Sequence, residues 1–361
     1  MPLNKVIISG GGTGGHIFPA VAIGNELKRL YPTIEILFVG ALGRMEMEKV
    51  PAAGFKIVGL PITGIQRSFS ISNIFVPFKL ITSILKAKKI IQAFKPDIVI
   101  GVGGYASAAI LYAASSKSIP CLIQEQNSYA GLTNKWLSKK VNTICVAYQG
   151  MEKFFPKEKI MITGNPVRAA IADASGINQK SAKDRLGFDS ALPMVLVIGG
   201  SQGSRMINQS IQSKLVLFEE NNCQLLWQTG QLFSPDTQSI KGIQALPFIG
   251  DMATAYAAAD IVISRAGATS ISELSLLGKS CILVPLPSAA EDHQTENAMA
   301  LVNNSAALLI RDSEANDKLV ATAIELLKNK KLQLELSENI THFAQPNALV
   351  NIVDQIRKLT Q

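Results

Sequence analysis

Of the three histidines in the chain, His16 has the surroundings best suited to chemistry. It follows Gly10, Gly11, Gly12, Thr13, Gly14 and Gly15 and precedes Pro19, a residue favoured in the first turn of a helix. A helix N-terminus disfavours imidazolium, so a histidine placed there tends to stay neutral and able to accept a proton. General-base catalysis of this kind is worth roughly 10²–10⁴-fold. The alternative is a packed or solvated side chain, which is how His342, beside Phe343, is read. His293 is read either as a substrate contact or as a helix start.

Residues 10–20 read GGGTGGHIFPA, directly after an apolar run and directly before a helical pattern. Gly10, Gly12 and Gly15 fit the GxGxxG spacing of a dinucleotide-binding turn. That fingerprint also needs an acid about 20 residues on, at the tip of the second strand. Phe38-Val39-Gly40-Ala41 stands there instead, which argues against a dinucleotide oxidoreductase. Two more glycine junctions follow, GVGGYASAA at 101–109 and GGSQGSRMIN at 199–208. At each, missing side chains let backbone approach a ligand, and N–H groups at a helix start attract phosphate or sugar oxygens. A single glycine pair could equally be a tight packing turn; three junctions in one chain favour a phosphorylated ligand. No Gly-Lys-Ser or Gly-Lys-Thr follows any of them, which excludes a P-loop.

These junctions lie between regularly alternating elements. Lys5–Ser9, 34–39, 97–102 and 120–123 are short apolar runs of the kind buried parallel strands show. Helical periodicity covers 21–30 and 81–94. The scheme repeats with strands at 194–198, 224–227, 261–264 and 281–285, and helices at 204–219, 269–277 and 293–303. The class is therefore α/β with parallel sheets, built as two Rossmann-like domains facing across a cleft. The join is expected near TGNPVR (163–168), giving domains 1–163 and 164–345; residues 173–190 read as a loop or short connecting helix. The apolar stripe of the last helix, 347–359, needs a partner surface, and residues 346–361 are free to pack back on the first domain.

At 361 residues, 47% hydrophobic and 17% charged, the chain can fill two cores and is neither disordered nor a coiled coil. Residues 1–163 carry 19 basic and 8 acidic side chains, the remainder 16 and 19, so the excess positive charge lies in the first half. An anionic membrane surface or a nucleic acid could account for it. Nucleic acid is the weaker reading, since no groove-reading motif appears and the basic residues are not interleaved with aromatics. Cys121, Cys145, Cys223 and Cys281 are far apart, with no CxxC, which excludes a disulfide scaffold and a zinc finger and fits a reduced cytosolic compartment. The N-terminus is not read as a secretory signal. The uncharged stretch 98–116 is broken by Gly101, Gly103 and Gly104 and reads as strand, turn and helix rather than a membrane span.

GGGTGGHIFPA, GVGGYAS, QEQN (124–127), GNPVR (164–168), GGSQGS (199–204), SRAGATSISE (264–273) and EDHQTENA (291–298), in this order and spacing, resemble the MurG family of peptidoglycan N-acetylglucosaminyltransferases. The resemblance spans nearly the whole chain. It implies the GT-B fold and inverting, metal-independent transfer of GlcNAc from UDP-GlcNAc to the MurNAc 4-hydroxyl of lipid I, giving lipid II. It implies no cofactor, and it places the protein at the cytoplasmic face of the bacterial plasma membrane, with cell-wall synthesis proteins as candidate partners. Ser201 and Arg168 would then hold the diphosphate, Glu273 the ribose hydroxyls, and the Ile249 backbone the uracil. Gln294 and Ala268, Thr269, Ser270, Ile271 and Ser272 would read sugar and phosphates. Thr13, Gly14, Gly15 and Asn127 would close over the GlcNAc and acceptor. Position 124 is Gln where the family often has His, which removes one candidate proton acceptor.

Such a reaction needs a base and a means of stabilising the departing UDP. Glu125 competes with His16 as base; its other reading is an orienting hydrogen-bond partner. Backbone N–H groups at 200–203, Ser201 and Arg168 can stabilise the leaving charge without a metal, and no DxD stands beside a strand end. Asp251, Glu291 and Asp292 are read as turn and capping residues. In 69–95, Ile71, Ile74, Phe75, Phe78 and Ile81 interrupted by Pro77 and ringed by Lys79, Lys86, Lys88, Lys89 and Lys95 suit an interfacial membrane site, against the alternative of a core helix. Another GT-B enzyme, such as a UDP-GlcNAc epimerase or glycolipid glycosyltransferase, and a nucleotide-sugar-binding scaffold without turnover are the competing functions.

Overall fold

Branched apolar runs flanked by glycine and polar turns are expected to become strands buried on both faces, and they do. The computed structural model describes residues 3–62, 76–200, 202–237, 240–289 and 292–361. Its first sheet holds β1 (Lys5–Ser9), β2 (Glu35–Ala41), β3 (Lys56–Leu60), β4 (Ile98–Gly101), β5 (Cys121–Glu125), β6 (Thr143–Val146) and β7 (Ile160–Ile162), in the order β3-β2-β1-β4-β5-β6-β7. The second holds β8 (Met194–Ile198), β9 (Gln224–Gln228), β10 (Ile243–Leu246), β11 (Ile261–Ser264), β12 (Cys281–Leu283) and β13 (Leu308–Leu309), ordered β10-β9-β8-β11-β12-β13. All pairings are parallel. Both sheets reverse direction of growth at their first strand, the Rossmann pattern, with switch points between β1 and β4 and between β8 and β11.

The chain divides into two units, Met1–Val167 with Asn347–Gln361, and Arg168–Pro346. In the first, the two-residue period of the strands sorts side chains to opposite faces. Ile7, Val99, Ile123 and Ile144 face a cluster with the helix Tyr105–Ser115, while Val6, Ile8, Ile98, Ile100 and Leu122 face the helix Gly14–Leu30. The final helix, Ala348–Thr360, lays Ile352, Val353 and Ile356 onto that second face, where each is buried. At about 2 kcal/mol per buried branched side chain, this contact ties the end of the chain to its beginning. The second unit packs Val195, Val197, Ile263 and Trp227 against the helices Arg205–Gln212 and Ala315–Lys328.

Two local expectations change. The helix read over 204–219 is two helices, Arg205–Gln212 and Val216–Glu220. At the break, the Ser213 hydroxyl donates to the Ser210 carbonyl, an alternative partner that competes with continued helix. The helix after the first glycine loop begins at Gly14, so Pro19 lies in its second turn rather than its first. There it has no N–H for the Gly15 carbonyl. Of the segment read as interfacial, Ile71, Ile74 and Phe75 lie outside the described residues; the helix Val76–Phe94 is described.

Candidate active site

In each unit the glycine junctions sit at the carboxyl ends of the strands that flank the switch point, the usual place for a ligand in an open parallel sheet. In the first unit, the loops after β1 and β4 touch. The Gly11 N–H donates to the Gly103 carbonyl at 3.4 Å. Gly103 and Gly104 both have positive φ, 106° and 89°. A Cβ on Gly104 would stand 2.6 Å from the Gly11 carbonyl oxygen, and one on Gly103 2.7 Å from the His16 ring. Bare backbone at 103 is thus what leaves room for the imidazole.

Thr13 precedes the helix Gly14–Leu30, and its carbonyl accepts the His16 and Ile17 N–H groups at 3.1 and 3.2 Å. Thr13 and Gly15 are exposed; Gly14 and His16 are half-buried. His16 Nδ1 lies 2.9 Å from the Gly11 carbonyl oxygen. A carbonyl only accepts, so Nδ1 carries the proton and the lone pair of the neutral ring is on Nε2.

The QEQN residues separate by role. Gln124 is fully buried, and its amide donates to Asn165 Oδ1 at 2.9 Å. Gln126, also buried, donates to the Val102 carbonyl, and Asn165 donates to the Gln126 carbonyl. Position 124 is therefore an interior structural position, and the Gln found there deprives the site of no reachable base. Glu125 is 2% exposed. Its carboxylate accepts four hydrogen bonds, from Asn127 N–H (3.1 Å), Asn127 Nδ2 (3.2 Å), Gly131 N–H (3.0 Å) and Asn134 Nδ2 (2.8 Å). Four donors occupy about all the lone-pair directions a carboxylate has. This geometry is that of an anchor for the 125–134 loop, and it presents the half-buried Asn127.

In the second unit, Ser201 lies outside the described residues. Around it, Gly200 and Gly203 take positive φ, and a Cβ on Gly203 would collide with the Thr229 carbonyl. Ser204 caps the helix Arg205–Gln212 by accepting from the Ile207 N–H. Gln228, at the end of β9, donates to the Gly200 carbonyl and accepts the Ile249 N–H at 3.0 Å, joining the glycine loop to the buried Ile249. Asp251 caps the helix Met252–Ala258 through the Thr254 N–H and hydroxyl, bonds that hold its carboxyl below the ordinary range. Asp292 precedes the helix His293–Val302, of which His293 is the first residue, and accepts the Thr295 hydroxyl. Glu291 is outside the described residues.

The helix Ala268–Leu276 starts just beyond β11, directing its N-terminal N–H groups to the same strand end. Ala268 and Ile271 are buried, so they can offer a ligand backbone rather than side chain. The Ser272 hydroxyl donates to the Ala268 carbonyl, Ser270 is half-buried, and Thr269 Oγ1 is buried with no hydrogen-bond partner among the described residues. Glu273, 4% exposed, accepts from Arg168 Nη2 (3.1 Å) and the Tyr256 hydroxyl (3.0 Å). Burial pushes its carboxyl up from the usual carboxylate range, and the Arg168 guanidinium pulls it back. Gln294 accepts the Leu286 N–H, bracing the turn after β12.

Several contributors were not singled out in the sequence. Arg265 is 8% exposed and donates to the Val284 and Pro285 carbonyls, Asp312 and the Ser204 hydroxyl, lashing three loops together. Tyr256, Gln228 and Asn134 hold site residues from behind. Glu46, fully buried, lies under the first glycine loop; its one sequence signal is an acid at the start of a helix soon after β2. No cluster of His, Cys, Asp and Glu that could hold a metal occurs among the described residues.

Residues 6–146 match the model of the glycosyltransferase family 28 N-terminal domain, and residues 194–352 that of its C-terminal domain. The chain is 54% identical over 354 residues, 98% of its length and 96% of the relative's, to the UDP-N-acetylglucosamine–N-acetylmuramyl-(pentapeptide) pyrophosphoryl-undecaprenol N-acetylglucosamine transferase of Cytophaga hutchinsonii. It is 52% identical to the protein of the same name from Parabacteroides distasonis, covering 98% of each. Its fold is similar to the crystal structure of Acinetobacter baumannii MurG, with a TM-score of 0.78 at 29% identity over 99% of this chain and all of that one.

Proposed function

The chain belongs to glycosyltransferase family 28, and from that membership and the geometry above we infer both its reaction and the residues that carry it. It is a UDP-GlcNAc-dependent hexosyltransferase of peptidoglycan synthesis with the GT-B fold. It transfers GlcNAc to the MurNAc 4-hydroxyl of undecaprenyl-pyrophosphoryl-MurNAc-pentapeptide (lipid I), giving lipid II.

For the chemistry, we propose that His16 Nε2 takes the proton of the acceptor hydroxyl as its oxygen attacks C1 of GlcNAc. The C1–O bond to the diphosphate breaks, its electron pair leaves with UDP, and attack opposite the leaving group inverts the anomeric centre. The observation that carries this is the 2.9 Å contact between Nδ1 and the Gly11 carbonyl, which aims the basic nitrogen away from its own loop. Thr13, Gly14 and Gly15 supply backbone to the sugar, and Glu125 holds Asn127 toward the acceptor. On the donor side, Arg168, Ser201, the N–H groups of 200–203 and the N-terminus of 268–272 stabilise the departing diphosphate in place of a metal. Thr269 Oγ1, buried without a partner among the described residues, donates to the same group. Glu273 accepts the ribose hydroxyls, Ile249 meets uracil through backbone, and Gln294 reads the sugar.

No helix among the described residues is long and apolar enough to cross a membrane. We propose that the helix Val76–Phe94 meets the cytoplasmic face of the plasma membrane. Its inner face, with Ala87 and Ile91, is buried, yet Phe78, Ile81 and Leu85 on its outer face are 67%, 57% and 55% exposed. Lys88 and Lys89 continue that face and are exposed, whereas Lys86 is tied to the Gly59 carbonyl. Apolar anchors beside basic residues fit an anionic interface.

Incubation with labelled UDP-GlcNAc and a lipid I analogue tests the reaction. Transfer of label to the acceptor is expected; label released only as free sugar, or left on UDP, overturns it.

A further inference from the structure

Glu46 opens the short helix Glu46–Ala52 and is completely buried. One oxygen accepts the Ala41 N–H at 3.0 Å, the other the Gly12 N–H at 2.9 Å. The slot it fills exists because positions 11 and 40 are glycine. A Cβ on Gly40 would stand 2.6 Å from Glu46 Cγ, and one on Gly11 would overlap the carboxylate itself.

The Gly12 N–H belongs to the same peptide group as the Gly11 carbonyl, and that carbonyl accepts Nδ1–H of His16. In a trans peptide the N–H and C=O point in opposite directions. The order in space is therefore carboxylate, N–H, C=O, imidazole, with both hydrogen bonds at 2.9 Å. A negative charge on the N–H end polarises the amide and makes its oxygen a better acceptor, and chains of such bonds strengthen one another. In serine hydrolases a carboxylate bonded directly to Nδ1 fixes the tautomer of the catalytic histidine and stabilises its protonated form. Here one peptide group stands between the two.

We propose that Glu46 is a positioning residue for the transfer reaction: through the Gly11–Gly12 peptide it fixes the Nδ1–H tautomer of His16 and stabilises the imidazolium formed as the acceptor hydroxyl loses its proton. The proposal rests on His16 being the base. Glu46 touches neither substrate, and its effect passes through a backbone group that no side-chain comparison would flag.

Ring ¹⁵N spectra of the full-length protein, with the chain's three histidines assigned using His16→Ala, read the tautomer directly. The wild-type ring is expected as Nδ1–H, and an Nε2–H ring overturns the proposal without any Glu46 variant. In Glu46→Gln the amide can satisfy only one of the two N–H donors, so the signal should move toward mixed tautomers. Turnover should fall roughly ten- to hundredfold with the KM for UDP-GlcNAc unchanged. A double-mutant cycle separates positioning from general support of the fold. His16→Ala/Glu46→Gln should be no slower than His16→Ala, because the relay has nothing left to act on; losses that multiply overturn the proposal. Full turnover in His16→Ala alone would instead remove the base assignment, while the wild-type tautomer still decides whether the relay exists.

Discussion

Arg168 and Glu273 form an ion pair at 3.1 Å, with the carboxylate almost fully buried and the guanidinium 41% exposed. The pair joins the residue expected to meet the diphosphate to the one expected to meet the ribose. Arg168 thereby offsets the desolvation of a carboxylate that burial alone would push toward protonation. The Tyr256 hydroxyl completes the cradle from the protein side. Ribose recognition by Glu273 predicts a specific loss. A hydrogen bond to a charged group is worth about 1.5–3 kcal/mol, so wild type should bind UDP roughly ten- to hundredfold tighter than 2′-deoxy-UDP. Glu273→Gln should narrow that ratio, measured by calorimetry with both nucleotides. A ratio unchanged in the variant removes Glu273 from the ribose.

His16→Ala should leave UDP affinity intact, because the residues proposed to hold the nucleotide lie in the other unit, and lower turnover by at least about a hundredfold. Steady-state rates with a soluble acceptor analogue and UDP titrations measure the two quantities separately. Turnover close to wild type would exclude the imidazole as base.

How much of this was legible in the chain depended on distance along it. The glycine loops, His16 and the strand–helix alternation announce themselves within a dozen residues, and the strands at the centre of each sheet stand where their branched runs are. Five strands were not read: the edge strands β3, β7, β10 and β13, whose short, partly exposed runs lack the continuous apolar signal of a buried strand, and the interior β6, buried but only four residues long and opened by a threonine. The anchoring partners were hidden for a different reason. Glu46 reaches Gly12 from 34 residues away, and Gln228 reaches Gly200 from 28. Neither spacing is a motif until the fold brings the strand ends together. Gln124 shows the converse: a conspicuous substitution in a motif falls on an interior hydrogen bond to Asn165 rather than on the chemistry.

The outer face of the helix Val76–Phe94 makes a prediction about surfaces rather than turnover. Replacing Phe78, Ile81 and Leu85 together by Ser should weaken partition onto anionic vesicles by about a hundredfold or more, since even half-insertion of such side chains is worth about 1 kcal/mol each. Lys88→Gln/Lys89→Gln should cost about 1 kcal/mol per charge and lose its effect at high salt. Rates with a soluble acceptor should not move in either variant. Vesicle sedimentation that is indifferent to both sets would leave this face without a membrane role.

Lys279 supplies a prediction about stability, away from the chemistry. Its ammonium donates to the Ala259 carbonyl at 3.0 Å, and burial lowers its pKa from 10.5 to about 8, with Asp260 opposing and Lys183 adding to the fall. Between pH 8 and 10.5 the unfolded chain therefore binds the extra proton, so this residue's contribution to stability rises with pH across that window. Below pH 8 it costs the fold about 3 kcal/mol at 1.36 kcal/mol per pH unit. Lys279→Met should remove that cost while forfeiting about 1 kcal/mol of hydrogen bond to Ala259. At pH 7 the variant should thus be the more stable by roughly 2 kcal/mol, and the two proteins should converge or cross as the pH approaches 10.5. Paired urea unfolding at pH 7 and pH 10 measures the difference. Buried thiols such as Cys121, Cys145 and Cys281, pushed up to about 12, bend both curves alike and cancel in the comparison. A gap that stays constant with pH would mean that the Lys279 ammonium is not desolvated in the folded protein.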